Sequence, residues 1–387
     1  MKITKIEPIL IALPQARRHP SALAGGTRAD LGRYVIVRVE TDEGITGLGE
    51  ATVLLTWAGD HGRYFGESPG TTMHLIQDVL GPALDGADPM AIELAHVKMN
   101  MAVKGYPYAK SAVDMALHDI TGKALQVPVY QLLGGLVRRW IPITHSLGIL
   151  EESELTTKAT AAIGEGIRTI KLKIGLDARR DIRAVAAVRE AIGPDIHLVV
   201  DANSGYQTPK LAIAALREMA AYDLHYAEQP VEGLDAMARV AHALDVSIMA
   251  DESAWNSHDI LDIIRLGAAD YVSLYTTKPG GLLPAKKTAA VAEAGGLPCN
   301  VNGSAETGIG NAANLHLAAS TPVISESIVI PITNIEGQEQ TQVAGVFYKD
   351  DIITRPFTYA DGALEVPDAP GLGVELDLDK VQKYRVA

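Results

Sequence analysis

Apolar and polar residues alternate in three stretches near the start of the chain, at residues 3–13, 34–41 and 45–50. A period of two predicts half-buried strands, and the turn Asp42-Glu43-Gly44 predicts that the last two strands pair antiparallel. Residues 71–135 instead repeat apolar positions at helical spacing, as in MHLIQDVLGPAL and SAVDMALHDITGKAL. Residues 1–135 are therefore predicted to form a small α+β domain.

From residue 141 the pattern changes to short apolar runs separated by amphipathic helices. The runs are ITHSLG, TIKLKIG, HLVVDAN, LHYAEQP, SIMADES, YVSLYTT, LPCNVNG and VISESIV. Eight such units predict a (β/α)8 barrel over residues 136–330, with its chemistry at the carboxyl ends of the strands. A doubly wound open sheet is the competing architecture, but no GxGxxG sequence opens the first helix. Residues 331–387 return to strand-like runs, which we expect to pack back on the N-terminal domain.

Composition narrows the class of protein. The chain has 387 residues, of which 47% are hydrophobic and 21% are charged, so it can bury a large core in two domains. Its net charge of −13 argues against nucleic acid or an anionic membrane as a partner. The single cysteine, Cys299, excludes an internal disulfide. We find neither a signal peptide nor an apolar run of about 18 residues, and we expect a cytoplasmic protein.

Three acids end consecutive predicted strands of the barrel. Asp201 in VVDAN, Glu228 in YAEQP and Asp251 in MADES are 27 and 23 residues apart, about one strand–helix unit each. This position on neighbouring barrel strands brings their carboxylates to one edge. A single acid there commonly caps the next helix, whereas three in succession favour a metal site. Oxygen ligands without His or Cys suit Mg2+ better than Zn2+.

Two lysines precede the acids on the strand TIKLKIG. Lys171 and Lys173 alternate with Leu172, so both are predicted to point into the mouth of the barrel. A lone inward lysine usually pairs with a barrel acid. Two lysines beside a cation have a chemical reason to be there, because neighbouring positive charge lowers the pKa of one until it can act as a base near neutral pH. The other can hold a substrate carboxylate.

Residues 54–65 form a predicted loop that is rich in aromatic side chains, although aromatic residues make up only 5% of the chain. Such a loop is either a surface connector or a lid over a substrate. We predict that it is a lid in which Trp57 and Tyr64 contact the substrate. A second lid is predicted near residues 20–26, where small residues predominate.

Taken together, these motifs resemble the enolase superfamily, in particular its muconate lactonizing enzyme (muconate cycloisomerase) subgroup. The resemblance rests on KxK followed by DxN, ExP and DE, on AKSAVDMALHDITGK leading to LLGG, and on the tail PGLGVELDLD. It implies an N-terminal α+β capping domain, completed by the C-terminal segment, on a modified TIM barrel. It also implies a homo-oligomer, a small carboxylate substrate, and Mg2+ (or Mn2+ in its place) held by Asp201, Glu228 and Asp251.

The resemblance further implies a reaction and roles for individual residues. The shared step in this family is removal of a proton α to a carboxylate, which gives a metal-stabilised enediolate. Lys173 matches the family's base, Lys171 its partner on the carboxylate side, and Asn203 a residue that steadies the metal ligands. Contacts to the substrate are predicted after the seventh and eighth runs, where ordinary turn chemistry is an alternative explanation for the seventh. These candidates are Asn302, Ser304, Glu306 and Glu326.

The sequence departs from the family at the end of the sixth strand. Relatives carry a second catalytic lysine there, but this chain has Tyr275, and Lys278 follows three residues later. Lys278 reaches the site only if the chain bulges. Loss of one of two bases disfavours racemases and favours reactions on one face of the substrate, either muconate-type cycloisomerization or β-elimination by a dehydratase. An amino acid or dipeptide racemase or epimerase is the alternative enzyme, and a non-catalytic metal-binding scaffold is the alternative outside enzymes.

Overall fold

In a computed structural model, residues 1–16 and 31–386 are described, so the predicted lid near residues 20–26 lies outside the described residues. The chain opens with a three-stranded antiparallel sheet in the order β1-β2-β3. Its strands are β1 (Ile3–Pro14), β2 (Leu31–Thr41) and β3 (Thr46–Ala51). This confirms the predicted meander.

Helices pack on one face of this sheet. They are α1 (Pro69–His74), which continues through a π-helical turn (Leu75–Leu80) into α2 (Gly81–Leu84), then α3 (Ile92–Ala102), α4 (Pro107–Leu125) and α5 (Val129–Leu132). Residues 108–122 of α4 are buried along their whole length, because this helix lies between the sheet and the following domain. No described helix is long and apolar enough to cross a lipid bilayer.

Seven parallel strands follow a short strand β4 (Trp140–Pro142) and form one sheet in the order β11-β10-β9-β8-β7-β6-β5. The strands are β5 (Thr144–Leu147), β6 (Thr169–Lys173), β7 (His197–Asp201), β8 (Leu224–Glu228), β9 (Ile248–Ala250), β10 (Tyr271–Leu274) and β11 (Cys299–Val301). Each is followed by a helix: α6 (Glu152–Gly164), α7 (Ala178–Ile192), α8 (Pro209–Met219), α9 (Leu234–Ala241), α10 (Ser257–Leu266), α11 (Leu282–Ala294) and α12 (Gly308–Ser320).

An extended segment, residues 324–329, closes this sheet into a ring. It pairs with β11 through parallel bridges at Ile324 and Val329, and with the start of β5 through a bridge between Ile328 and Ile143. The Ile328 N–H donates to the Pro142 carbonyl at 2.9 Å, and the Thr144 N–H donates to the Ile328 carbonyl at 2.8 Å. Eight extended segments therefore complete the predicted barrel. It is modified, since in the described chain the eighth segment leads into an irregular stretch rather than a helix.

The C-terminal segment contacts both parts of the molecule. Strands β12 (Tyr359–Ala360) and β13 (Ala363–Glu365) extend β4 into a small antiparallel sheet, and the Val386 N–H donates to the Leu10 carbonyl of β1 at 2.9 Å. Residues 378–384, predicted as part of a strand-like run, form helix α13 (Leu378–Tyr384), so that prediction was wrong. The Asp377 carboxylate caps this helix by accepting from the Lys380 N–H at 3.0 Å, which ends the preceding alternation.

His316 on α12 makes two hydrogen bonds, one of them to the C-terminal segment, that together require a neutral imidazole ring. Its Nδ1 accepts from the Tyr130 N–H at 3.2 Å, while its Nε2 lies 3.1 Å from the Leu372 carbonyl. One ring nitrogen must therefore be bare and the other protonated, as in neutral imidazole. Burial is the main cause that lowers the pKa of His316 to about 4.

We expect this histidine to make folding sensitive to acid. Below pH 6.5 the unfolded chain protonates His316 while the folded chain does not, so the free energy of unfolding falls as the pH drops from about 6.5 towards 4. The loss attributable to this group amounts to about 3 kcal/mol. Urea unfolding of the wild-type and His316→Asn proteins across this range should show a flatter pH dependence in the variant. Parallel curves would contradict the assignment, and the exposed His258→Asn change is the control.

Candidate active site

The carboxyl ends of the barrel strands bring the predicted lysines and acids together. The strand register places Lys173 beside Asp201 and Asp201 beside Glu228. Lys171 Nζ lies 2.6 Å from Glu228 Oε1 and 2.9 Å from Asp201 Oδ2, and all three groups are buried. Burial alone would lower the pKa of Lys171, but the charges of Asp201, Glu228 and Asp251 outweigh it and raise that pKa well above its ordinary value. Lys171 is therefore a fixed cation.

Lys173 lies at the edge of the cluster. Its Nζ is 2.5 Å from Asp201 Oδ2 and 2.7 Å from Asn203 Oδ1. Its side chain is 19% exposed, against 3% for Lys171. Asn203 holds this arrangement in place, because its backbone N–H donates to Asp201 Oδ1 at 2.8 Å and its Nδ2 donates to Glu252 Oε1 at 3.0 Å. Lys173 is thus oriented and also reachable from solvent.

Tyr275 and Lys278, the two candidates at the end of the sixth barrel strand (β10), both reach the site. Lys278 Nζ donates to the Asp251 carbonyl at 2.7 Å, to the Ser273 carbonyl at 3.1 Å and to Asp251 Oδ1. It lies 4.1 Å from the centroid of the Tyr275 ring and 5.2 Å from that of the Trp57 ring. The Tyr275 hydroxyl donates to Asp251 Oδ2 at 3.3 Å. The chain therefore does bend so that Lys278 points back to the end of the preceding strand.

A contact from the N-terminal domain shapes that bend. The Gly281 N–H donates to the Thr276 carbonyl at 2.8 Å and closes the turn after β10. Gly281 has φ +135°, and a Cβ there would lie 2.2 Å from Cγ of Asp114 on α4. Only glycine allows this approach. Asp114 in turn accepts from the Leu282 N–H at 2.5 Å, which fixes the start of α11.

Asp114 is a buried carboxylate that is not among the residues predicted from the sequence. It contacts His96 at 2.7 Å and His118 at 3.2 Å. Burial would raise its pKa, but the charges and hydrogen bonds of these histidines lower it below the ordinary range. The available signal was an acid inside the otherwise apolar stretch SAVDMAL, since a buried acid needs a partner.

The acids at the strand ends fit a hard divalent cation. Glu228 Oε2 is buried and has no hydrogen-bond partner among the described residues. Burial, and to a lesser degree the negative charge of Asp201, raises the pKa of Glu228 well above its ordinary value. Asp201, Glu228 and Asp251 offer only oxygen donors, which Mg2+ prefers. In the part of the chain that the structure describes, no three acids, histidines or cysteines are arranged to hold an ion as they stand. Lysine ammonium groups contact one oxygen of each carboxylate instead.

The predicted lid, residues 54–65, covers one side of the site. The centroid of the Trp57 ring lies 4.8 Å from that of Tyr275 and 5.2 Å from that of Trp255, so Trp57 directly covers the end of β10. Tyr64 lies one ring further out, stacked on Trp255 at 4.7 Å, and its hydroxyl donates to Asp259 Oδ2 at 3.0 Å. Of the two predicted lid contacts, the structure brings Trp57 to the site and places Tyr64 behind it.

The predicted substrate contacts after the seventh barrel strand (β11) divide into two groups. Asn302 Nδ2 donates to Glu228 Oε1 at 3.0 Å and so contacts an acid of the site. Ser304 and Glu306 instead close a turn, in which the Ser304 N–H donates to Glu306 Oε1 at 2.9 Å. Glu306 Oε2 is buried without a partner in the described chain, and burial raises the pKa of Glu306 to about 8.

Glu326 requires a correction, because it does not lie near the other candidates. Its carboxylate lies 2.8 Å from Nε2 of His225, at the beginning of β8, and its N–H donates to the carbonyl of Cys299 at the beginning of β11. The eighth segment starts, rather than ends, with the sequence VISES. Glu326 therefore lies at the opposite end of the barrel from Glu228.

Comparisons with known proteins match nearly the whole chain. Residues 5–134 match the family described as "Mandelate racemase / muconate lactonizing enzyme, N-terminal domain", and residues 154–381 match "Enolase C-terminal domain-like". An N-succinyl-L-Arg/Lys racemase from Bacillus cereus is 36% identical over 100% of this chain and 98% of its own. Muconate cycloisomerase 1 from Rhodococcus opacus is 32% identical, with 99% and 98% covered.

Solved structures agree with this result. The crystal structure of N-succinyl Arg/Lys racemase from Bacillus cereus superposes with a TM-score of 0.91 at 33% identity and covers 100% of this chain and 99% of that one. A dipeptide epimerase from Enterococcus faecalis, complexed with Mg and the dipeptide L-Leu-L-Tyr, superposes with a TM-score of 0.86 at 31% identity. It covers 97% of this chain and 100% of that one.

The pairing of Lys278 with Asp251 makes a prediction about stability. Lys278→Met removes the cation from a buried carboxylate, so we expect the free energy of unfolding to fall by about 3–5 kcal/mol. Tyr275→Phe removes one hydrogen bond, and its cost should stay below about 1.5 kcal/mol. Denaturant titration with a chelator present measures both, because a bound cation would compensate the missing charge. Equal stability of Lys278→Met and the wild type would show that this ion pair does not form.

Proposed function

The chain belongs to the mandelate racemase/muconate lactonizing enzyme family of the enolase superfamily, and on that basis we propose that it removes a proton α to the carboxylate of a small substrate. The superfamily chemistry needs a base, a charge that stabilises the enediolate, and a closed site. The strand ends of β6 to β9 supply the first two groups, and the predicted lid at residues 54–65 covers one side of the site, where Trp57 contacts Tyr275 after β10.

The observation that carries the proposal is the environment of Lys173. This lysine is oriented by Asp201 and Asn203 and is 19% exposed, while Lys171 and Lys278 have 3% and 1% of their side chains exposed. A general base must be both held in place and reachable. Lys173 meets both requirements, takes the α-proton at Nζ, and can return it on the same face.

Asp201, Glu228 and Asp251 would hold Mg2+, with Mn2+ as the alternative ion. When bound, the cation supplies positive charge beside the substrate carboxylate, where the charge of an enediolate develops. Lys171 contributes a fixed positive charge on the same side, since two carboxylates keep it protonated. Asn302 steadies Glu228 from the neighbouring strand.

The leading reaction is one that needs a single acid–base group. The Lys278 ammonium already donates to three oxygen atoms and lies under the rings of Tyr275 and Trp57. Its side chain is only 1% exposed, against 19% for Lys173, so Lys173 is the better placed of the two to exchange a proton with a substrate. Cycloisomerization of the muconate type and β-elimination by a dehydratase both proceed with one such group, so we propose these two reactions.

A racemase is the second candidate, and the position of Lys278 in the barrel favours it. Strands β6 and β10 are four places apart among the eight extended segments of the ring. Lys173 and Lys278 therefore approach the site from opposite sides, as two-base proton transfer requires. The 36% identity to an N-succinyl-L-Arg/Lys racemase points in the same direction.

Deuterium exchange tests the proposed step without knowledge of the product. A panel of N-acyl amino acids, β-hydroxy acids and muconates is incubated with the protein and Mg2+ in D2O, and loss of the α-proton signal is followed by NMR. We expect exchange or turnover of at least one compound, and a loss of about 10²–10⁴-fold in Lys173→Ala. Lys158→Ala, on the exposed face of α6, is the control. An unchanged rate in Lys173→Ala would refute the assigned base.

The same experiment separates the two reaction classes. Deuterium that enters only the supplied enantiomer, or accompanies elimination or ring closure, supports the one-base reactions. Deuterium in both enantiomers, lost in Lys278→Met and kept in Tyr275→Phe, supports the racemase.

Metal binding can be tested independently of any substrate. Mg2+ at about 100 times its dissociation constant should raise the free energy of unfolding by about 2.7 kcal/mol. Glu228→Gln should abolish most of this stabilisation, since it removes one of three carboxylate ligands. Glu326→Gln is the matched control, because that acid lies at the other end of the barrel. Equal stabilisation of both variants in calorimetric scans would place the cation elsewhere.

A further inference from the structure

One carboxylate in the lid is buried although the three residues that follow it are exposed. Asp60 is 6% exposed, whereas the adjoining residues 61–63 are exposed. Its Oδ1 atom accepts two hydrogen bonds from the barrel, from the Ser253 hydroxyl at 2.7 Å and from the Gly233 N–H at 3.1 Å. Ser253 and Gly233 belong to the loops after β9 and β8, so one oxygen atom joins the lid to two strand ends.

The hydrogen bonds continue inward through Gln229. Its Nε2 donates to the Ser253 hydroxyl at 2.7 Å, and its Oε1 accepts from the backbone N–H groups of Asp251 at 2.9 Å and Ser253 at 3.2 Å. Gln229 directly follows Glu228 and is fully buried. Three side chains therefore connect the lid to the backbone of one acid of the site and to the neighbour of another.

The surrounding geometry is shaped for this contact. Gly233 has φ +90°, and a Cβ there would lie 2.9 Å from Nε2 of His61, so the lid rests directly on this glycine. The His61 N–H also donates to Glu232 Oε1 at 2.5 Å. A second contact holds the outer edge of the lid, where Arg63 pairs with Asp259 at 2.8 Å. Arg63 is 47% exposed, so this outer pair contributes little to holding the lid.

We propose that Asp60 is a positioning residue that couples docking of the lid to the order of the strand ends that carry Glu228 and Asp251. When Asp60 is docked, Ser253 is held by two partners and orients the Gln229 amide, which fixes the Asp251 N–H. The same docking holds Trp57 against Tyr275 and keeps water away from Glu228 and Asp251. When Asp60 is released, the lid and the Asp251 backbone loosen together.

Amide hydrogen exchange on the full-length protein tests this coupling without a substrate. In Asp60→Ala we expect exchange to speed up at least about tenfold in residues 57–64 and also at the amides of Asp251 and Ser253. Asp60→Asn keeps the accepting Oδ1 and should restore most of the protection at both places. Ser253→Ala should release both regions, because it removes the shared hydroxyl.

Arg63→Ala is the matched control within the lid. It should speed exchange in the lid only, by less than about threefold, and leave the Asp251 and Ser253 amides unchanged. Unchanged exchange at Asp251 and Ser253 in Asp60→Ala would overturn the coupling, as would an Asp60→Asn protein that behaves like Asp60→Ala. Faster exchange throughout β6 would mean general unfolding and would also count against it. These outcomes do not depend on whether Lys173 acts as a base, so they can fail separately from the proposed reaction.

Discussion

The structure depends on placing like charges close together without leaving them uncompensated. Asp201 and Glu228 would repel each other at neighbouring strand ends, and Lys171 between them, at 2.9 and 2.6 Å, makes that arrangement tolerable. Lys278 does the same for Asp251. The lysines thus serve first as internal counterions. Lys173, the lysine that we propose as the base, differs from the other two in being partly open to solvent.

The N-terminal domain contributes more than a cover. Asp114 on α4 occupies the space that only a glycine at position 281 leaves open, and it fixes the start of α11. The turn that results carries Lys278 back to Asp251. On the other side, Asp60 reaches the strand ends through Ser253. Both domains therefore set the shape of one site, and their hydrophobic cores interlock, since Leu13 of β1 packs in the barrel core and Trp255 packs in the core of the N-terminal domain.

The spacing of strands and acids was enough to predict the barrel and to bring Asp201 and Glu228 together, because the strand period is a local property and the strands of such a barrel present their carboxyl ends on one face. The position of Lys278 was not predictable in this way, since its turn depends on Asp114, more than 160 residues away in sequence. Glu326 was misplaced for a related reason. A short apolar run does not reveal which of its ends faces the site until its hydrogen-bonded neighbours are known.

The ring of extended segments is closed by residues 324–329, which make single bridges rather than a continuous ladder with β11 and β5. The strands that carry the acids, β7 and β8, lie in the middle of the seven-stranded arc, away from this seam. The seam is nonetheless held by backbone hydrogen bonds on both sides, from the Val329 N–H to the Val301 carbonyl at 2.9 Å and from the Thr144 N–H to the Ile328 carbonyl at 2.8 Å. Asn302, which donates to Glu228, also bridges to Val329 at this seam. Closure of the ring therefore also fixes a side chain that contacts the acids, and the last segment to join the barrel takes part in shaping the site.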